Sequence, residues 1–351
     1  KGYEFQQISS NKRLISLIRT NKREDTDILL YDRQTQIMRN LTPVAGDIEY
    51  RHQAFSADSQ SIFYTSNQNT NFAYLVRENL NTGQKQVVLE TDWDVSFAKL
   101  SRQGRYLAIG INKDATTELR LFDGNTLKQV ETPPFPKGDI TSVSFSHDEN
   151  MIAFYASTNR SPHNLYLLDL SKMRVRQLTA ALSPEIDSND LVEAETVRFA
   201  SFDGMQIPGL LFKPMGASAE HKVPALVWVH GGPGGQARNE FNPLIQYLVN
   251  HGYAVFAINN RGSSGYGKDF FTADDRKHGQ ADLDDCVASK SMLIATGYVD
   301  PERIGIVGKS YGGYLTLAAM TFRPEEFAIG IDLFGISDWI HILENMPPWW
   351  E

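Results

Sequence analysis

Ile304-Gly305-Ile306-Val307-Gly308-Lys309-Ser310-Tyr311-Gly312-Gly313 begins as an apolar strand, turns on Gly-x-Ser-x-Gly and opens a helical run that continues to Phe322. That strand–turn–helix setting gives the pattern its meaning. The serine sits in a strained turn, so the residues two positions before and after it have to be glycine to avoid clashes. Its hydroxyl then projects from the sheet edge toward a base, and the helix N-terminus behind it favours developing negative charge. The bland alternative is a Gly-rich turn with an idle serine. The flanking strand and helix speak against it.

Upstream of this stretch the texture keeps alternating. Glu195 to Phe199 and Ile207 to Phe212 read as strands joined at Asp203-Gly204, and Ala225 to Val229 as a buried strand. Phe241 to Asn250 reads as a helix closed by Gly252, Tyr253 to Ile258 as a strand, and Leu283 to Ala295 as a helix stopped by Gly297. Arg303 to Val307 and Phe327 to Leu333 are the remaining strands. Such alternation predicts a mostly parallel sheet with helices on both faces. His230-Gly231-Gly232-Pro233-Gly234-Gly235 follows the buried strand directly. A glycine loop there can bring a backbone N–H close to an oxyanion: Gly232 is the expected donor, Gly231 the adjacent candidate, and the Tyr311 N–H the second donor. The loop lacks the Lys-Ser/Thr and helix-opening spacing of a phosphate site. His230 precedes the serine, whereas the base of this fold follows it, so it is expected to pack or support the loop.

Residues 1 to 182 have a different character. Short β-branched and aromatic runs such as Ile62-Phe63-Tyr64 and Tyr106 to Ile109 alternate with turn chemistry, and no helical period appears. The half also repeats. Phe55-Ser56-Ala57-Asp58, Leu100-Ser101-Arg102-Gln103-Gly104 and Phe145-Ser146-His147-Asp148 each precede a strand, with the serines 45 residues apart, and Ser9-Ser10-Asn11 is a weaker copy 47 residues before Ser56. Tyr31-Asp32, Glu78-Asn79, Phe122-Asp123 and Leu168-Asp169 each lead into a hairpin turn. A repeat of this length with four short strands is the signature of propeller blades; a β-sandwich shows no such self-similarity. The expected organisation is therefore an all-β propeller with about four blades over residues 1–182, a polar linker at 183–192 and an α/β-hydrolase domain over 193–351. Four blades is the low end for a ring, so further blades are expected before Lys1.

Composition narrows the partners. With 34 basic and 42 acidic side chains the net charge is −8, which argues against a nucleic-acid backbone or an anionic membrane as the main partner. No apolar run reaches the ~18 residues that a membrane helix needs. The single cysteine, Cys286, excludes an internal disulfide framework and reads as a packed thiol on a helix. The charged stretch from Asp274 to Asp285 reads as a solvated loop and helix start rather than a metal site, and the histidines show no ligand spacing.

The propeller repeat, His-Gly-Gly-Pro, Asn260-Arg261-Gly262-Ser263-Ser264-Gly265-Tyr266-Gly267 and Gly-x-Ser-Tyr-Gly-Gly-Tyr together resemble the prolyl oligopeptidase family of serine peptidases. Within it the chain is most similar to the acylaminoacyl-peptidase and dipeptidyl-aminopeptidase-like bacterial branch, which Ile342 to Trp350 also resembles. The resemblance implies a cofactor-free and metal-free peptidase of short peptides, with Ser310 as nucleophile, Gly232 and Tyr311 as oxyanion donors, and a propeller that screens substrates by size. Arg261 and Tyr266 match family motif positions, for which a structural role in the loop beside the site is expected at least as much as a functional one. After Ser310 the Asp and His candidates are Asp332, Asp338 and His341; an Asp and His only three residues apart would have to reach the elbow from one short turn, whereas the resemblance places acid and base further on, after two more strand–helix units. Acid and base are therefore expected beyond Glu351, and the chain alone is not expected to be an efficient hydrolase. A non-catalytic peptide- or partner-binding protein and an esterase are the alternatives. Homo-oligomerisation is open; a cytoplasmic location is weakly favoured over a periplasmic or secreted one.

Overall fold

The computed structural model describes residues 2–44 and 46–345; the Met346 to Trp350 stretch, part of the resemblance above, lies outside the described residues. The N-terminal half forms four antiparallel sheets, each a meander of four consecutive strands. The first comprises β1 (Glu4–Ile8), β2 (Leu14–Lys22), β3 (Asp25–Asp32) and β4 (Ile37–Asn40). The second comprises β5 (Tyr50–Phe55), β6 (Ser61–Ser66), β7 (Tyr74–Asn79) and β8 (Lys85–Leu89). The third runs through β9 (Asp94–Leu100), β10 (Tyr106–Lys113), β11 (Thr116–Asp123) and β12 (Gln129–Val130). The fourth runs through β13 (Asp139–Phe145), β14 (Met151–Thr158), β15 (Ser161–Asp169) and β16 (Arg174–Gln177).

The repeated residues are the fasteners of these sheets. In every blade the serine after the first strand accepts from the amide five residues on: Leu14 N to Ser9 Oγ at 2.9 Å, Ser61 N to Ser56 Oγ at 2.8 Å, Tyr106 N to Ser101 Oγ at 2.9 Å and Met151 N to Ser146 Oγ at 3.0 Å. Its own amide donates back to that residue's carbonyl. Asp32, Asn79, Asp123 and Asp169 close the hairpin between third and fourth strands by accepting from the amides two and three residues ahead. Apolar clusters join neighbouring blades, for example Ile28, Leu30, Phe55, Ile62 and Tyr64 between the first two, and Ala108, Leu121, Ile152 and Phe154 between the last two.

Residues 183–192 are mostly exposed, with a short 3₁₀ turn at Ser188–Asp190. The second half is a six-stranded sheet in the order β17–β18–β20–β19–β21–β22. These strands are β17 (Glu195–Ala200), β18 (Gln206–Phe212), β19 (Val223–Val229), β20 (Ala254–Ile258), β21 (Val299–Lys309) and β22 (Gly330–Leu333). β17 and β18 form an antiparallel hairpin, β18 runs antiparallel to β20, and β20, β19, β21 and β22 are mutually parallel. Helices α1 (Pro243–Asn250), α2 (Lys268–Phe271), α3 (Ala281–Ala295), α4 (Tyr311–Phe322) and α5 (Trp339–Asn345) fill the connections. Separate apolar clusters cover its two faces, one around Val227, Phe256, Ile306 and Leu315 and one around Leu210, Val255 and Ile245. The architecture is a set of propeller blades followed by an α/β-hydrolase sheet. No helix among the described residues is long and apolar enough to cross a membrane.

Parallel register sets up the site. Val229 aligns with Ile258 on one side and with Gly308 on the other. The loops that follow β19, β20 and β21 therefore emerge side by side at one sheet edge, where α/β sheets place ligands. The propeller sits over that edge. Its connections between second and third strands all touch the loops: Arg23 donates to Gly262 O at 3.2 Å, Asn71 accepts from the amides of Lys268 and Asp269, Ala115 O accepts from Asn239 N, and Asn159 Nδ2 donates to Glu240 O at 3.3 Å.

Candidate active site

Ser310 joins β21 to α4 with φ 57° and ψ −118°, a left-handed conformation forced on a residue with a β-carbon. The flanking glycines are what make the turn possible. A β-carbon on Gly308 would run into the carbonyl oxygen of Gly312, and one on Gly312 would run into the carbonyl of Val229. Ser310 is half-buried, its amide donates to Leu333 O at 3.2 Å, and its carbonyl accepts from Tyr314 N at 3.1 Å. Among the described residues no group hydrogen-bonds its hydroxyl.

The glycine loop after β19 lies against the serine. A β-carbon on Gly231 would stand 3.2 Å from Ser310 Cβ and 3.7 Å from its Oγ, so side-chain bulk at 231 would crowd the hydroxyl. Gly232 has φ 139°, and neither its N–H nor that of Tyr311 has an acceptor among the described residues. Two backbone donors are thus left without acceptors, one on the Ser310 elbow and one next to Gly231. His230 is turned away from it. Nδ1 bonds Gly231 O and Nε2 bonds Ser263 Oγ, both at 2.8 Å, while burial lowers its pKa. It supports the loop, as its place in the sequence predicts.

Tyr311 is clamped from behind. Its ring is 1% exposed and its hydroxyl donates to Asp282 on the first turn of α3. Asp282 also accepts from the amides of Gln280 at 3.1 Å and Leu283 at 2.9 Å. Burial raises its pKa to about 6, against the lowering effect of the Tyr311 bond. The anchor was not legible in the sequence, because a helix-start aspartate ordinarily faces water. The charged stretch 274–285 is in fact partly interior: Asp274, Asp282 and Asp285 are all fully buried, which corrects the expectation of a solvated segment. Asp285 and Asp203 together hold Arg261, with bonds of 2.8 to 3.0 Å, and Ser201 donates to Asp285 at 2.6 Å. Arg261 is thereby a structural brace beneath the loop after β20. Tyr266 accepts from Asn259 Nδ2 at 3.0 Å and meets Trp93 of the third blade edge-on. Cys286 is buried with its thiol pKa pushed up by that burial.

The later acid and base candidates do not reach the serine hydroxyl. Asp332 Oδ1 accepts from Gly335 N at 2.7 Å, Asp338 caps α5 through His341 N at 3.1 Å, and the His341 side chain is exposed.

The sequence model of the prolyl oligopeptidase family matches residues 239–351, and that of acetyl xylan esterase (AXE1) matches residues 153–282. The chain is 28% identical over 303 residues to dipeptidyl aminopeptidase BIII of Pseudoxanthomonas mexicana, covering 84% of this chain and 44% of that protein. It is 32% identical over 204 residues to the uncharacterized peptidase YuxL of Bacillus subtilis (strain 168), covering 57% and 30%. A solved puromycin-hydrolysing peptidase of Mycobacterium tuberculosis superposes with a TM-score of 0.88 at 21% identity, over 99% of this chain and 55% of that one. The chain thus spans about half the length of such relatives or less. The first of those sequence models runs through β20, β21, the Ser310 elbow and α4, so it is residues 239–351, the part that holds the elbow, that match the prolyl oligopeptidase family.

Proposed function

We propose that this chain carries the nucleophile and oxyanion donors of a serine peptidase acting on short peptides. Ser310 Oγ would attack the scissile carbonyl and lose its proton to a base, forming an acyl-enzyme that water then hydrolyses. The Tyr311 and Gly232 amides would receive the negative charge that builds on the carbonyl oxygen. The four blade connections over the sheet edge would restrict entry to short or flexible chains. The observation that carries this reading is the backbone of Ser310 at φ 57°, ψ −118°, held between two glycines that admit no side chain. The names of the peptidase relatives point to the same substrate class.

A serine-directed fluorophosphonate, applied to the protein produced from its complete gene, tests the reading. Label is expected on the peptide containing Ser310 and is expected to vanish in Ser310→Ala. A protein that stays unlabelled, or that labels equally in the variant, overturns it. An ester substrate is a second reading, favoured by the acetyl xylan esterase match, although that match stops at residue 282, before the elbow. Turnover of short peptide amides against short acyl esters separates the two.

A further inference from the structure

Behind Tyr311 lies a group of side chains that the acyl-transfer reading does not use. Asp274, His278 and Asp282 each present a ligand atom within 4.8 Å of the others. Asp274 is fully buried, yet neither of its carboxylate oxygens has a hydrogen-bond partner among the described residues. Burying an ionised carboxylate without donors is among the costliest arrangements a fold can contain. The neighbouring His278 Nδ1 is also without a hydrogen bond, although it stands 3.2 Å from Asp274 Oδ2. In the tautomer that carries its proton on Nε2, His278 Nδ1 and the carboxylate oxygen present lone pairs side by side to shared space. Their spacing matches the roughly 3.3 Å between adjacent ligands of a tetrahedral ion with ~2.0–2.1 Å bonds.

Arg23, from the first blade, is the nearby cation. Its Nη1 remains 3.9 Å from Asp274 Oδ1, its Nη2 donates to Gly262 O, and its guanidinium lies 3.9 Å over the Phe271 ring. It offsets part of the charge without bonding the carboxylate. Asp282 keeps a free lone pair on the oxygen that receives the Tyr311 hydroxyl.

From this geometry we infer that Asp274, His278 and Asp282 form a binding site for a first-row transition-metal dication, with Zn²⁺ the best fit to one imidazole and two carboxylates. The donor set of one nitrogen and two oxygens leaves a further position for water. The ion would not touch substrate. It would tie the loop at Asp274 and the first turn of α3 to each other, and through Asp282 would fix Tyr311 and the start of α4. The site is independent of whether Ser310 is a nucleophile.

The test uses the purified chain stripped with a chelator and titrated with Co²⁺ alone, then with Zn²⁺ alone. One Co²⁺ per chain is expected, with the ligand-field bands of a four- or five-coordinate ion, displaced by Zn²⁺. Zn²⁺ should also raise the thermal unfolding midpoint. His278→Gln and Asp274→Asn should each weaken Co²⁺ binding at least ~100-fold while circular dichroism stays unchanged. Should Asp274→Asn not fold, the half-buried His278→Gln decides alone. A chain that binds no Co²⁺, or binds it equally well in the folded His278→Gln variant, overturns the inference.

Discussion

Gly308 and Gly312 face each other across the Ser310 turn and neither can carry a side chain: a β-carbon on the first meets the carbonyl oxygen of the second, and one on the second meets the carbonyl oxygen of Val229. Both are fully buried backbone against backbone, so neither can shift a flexible neighbour aside. Gly308→Ala and Gly312→Ala should each destabilise the chain by at least about 3 kcal/mol, since overpacking and backbone movement act together. Gly297 is the control. It has φ 81° and open space around its missing β-carbon, so Gly297→Ala should cost only about 1 kcal/mol. Urea denaturation of the three variants checks the ranking; equal losses would show that the elbow is not sterically closed.

Arg238 couples the glycine loop to the propeller. It donates to both oxygens of Asp139, at 2.9 and 2.6 Å, to Thr117 Oγ1 at 2.9 Å and to Gln236 Oε1 at 2.6 Å. The Asp139 side chain is only 3% exposed. Arg238→Ala leaves that carboxylate with Thr117 as its sole bonded neighbour and should cost about 3 kcal/mol. Because the pair joins the fourth blade to the loop after β19, the variant should also be cut by protease in the 231–241 loop faster than the parent. Unchanged proteolysis alongside lost stability would mean that Arg238 holds a blade but not the loop.

Much of this was readable in advance, for a physical reason. A hairpin closed by a serine hydroxyl or an aspartate carboxylate is a local event, so Ser56, Ser101, Ser146 and Asp123 announce it within a few residues of chain. The elbow is equally local, because its strain demands glycine at fixed offsets. The helix Tyr311–Phe322 matches the sequence reading to the residue. Elsewhere boundaries shift: the strand read at 303–307 runs from Val299 to Lys309, extended by pairing of Val299 with Val223. What stayed hidden depends on distant partners. Asp274, Asp282 and Asp285 look like a solvated helix start and turn out buried, because Tyr311 and Arg261 arrive from other parts of the chain. His278 gains its place beside Asp274 in the same way, through the packing of Tyr311 on its ring.

His52 predicts an acid limit to stability. Its ring packs 5.2 Å from Phe55, and Nε2 bonds Gln7 Oε1 at 2.9 Å. Burial, with the charge of Lys99 second, lowers its pKa from 6.5 to about 4. The unfolded chain therefore binds the proton more readily than the folded one between pH 6.5 and 4. Stability is full above that window and falls as pH drops through it, by up to about 3 kcal/mol. His52→Asn should flatten this part of the curve. Urea unfolding of parent and variant from pH 4.5 to 7.5 makes the comparison, and parallel curves would sink the assignment.

Gly231 tests the site with the least disturbance of the fold. Its missing β-carbon would stand 3.1 Å from Lys309 O and 3.2 Å from Ser310 Cβ, tight but within the give of a few tenths of an ångström. Its backbone is not in the left-handed region, so alanine adds no conformational strain. Gly231→Ala should thus lose at most about 1–2 kcal/mol of stability. The added methyl would nonetheless fill the space next to Ser310 Oγ, where an attacked carbonyl has to approach. If Ser310 is the nucleophile, fluorophosphonate labelling of the complete protein should slow at least ~10-fold in this variant, because even an ångström-scale misplacement of the reacting groups is costly. Labelling at the parental rate in a folded Gly231→Ala protein would mean that the carbonyl approaches from another side, and would remove the glycine loop from the oxyanion site.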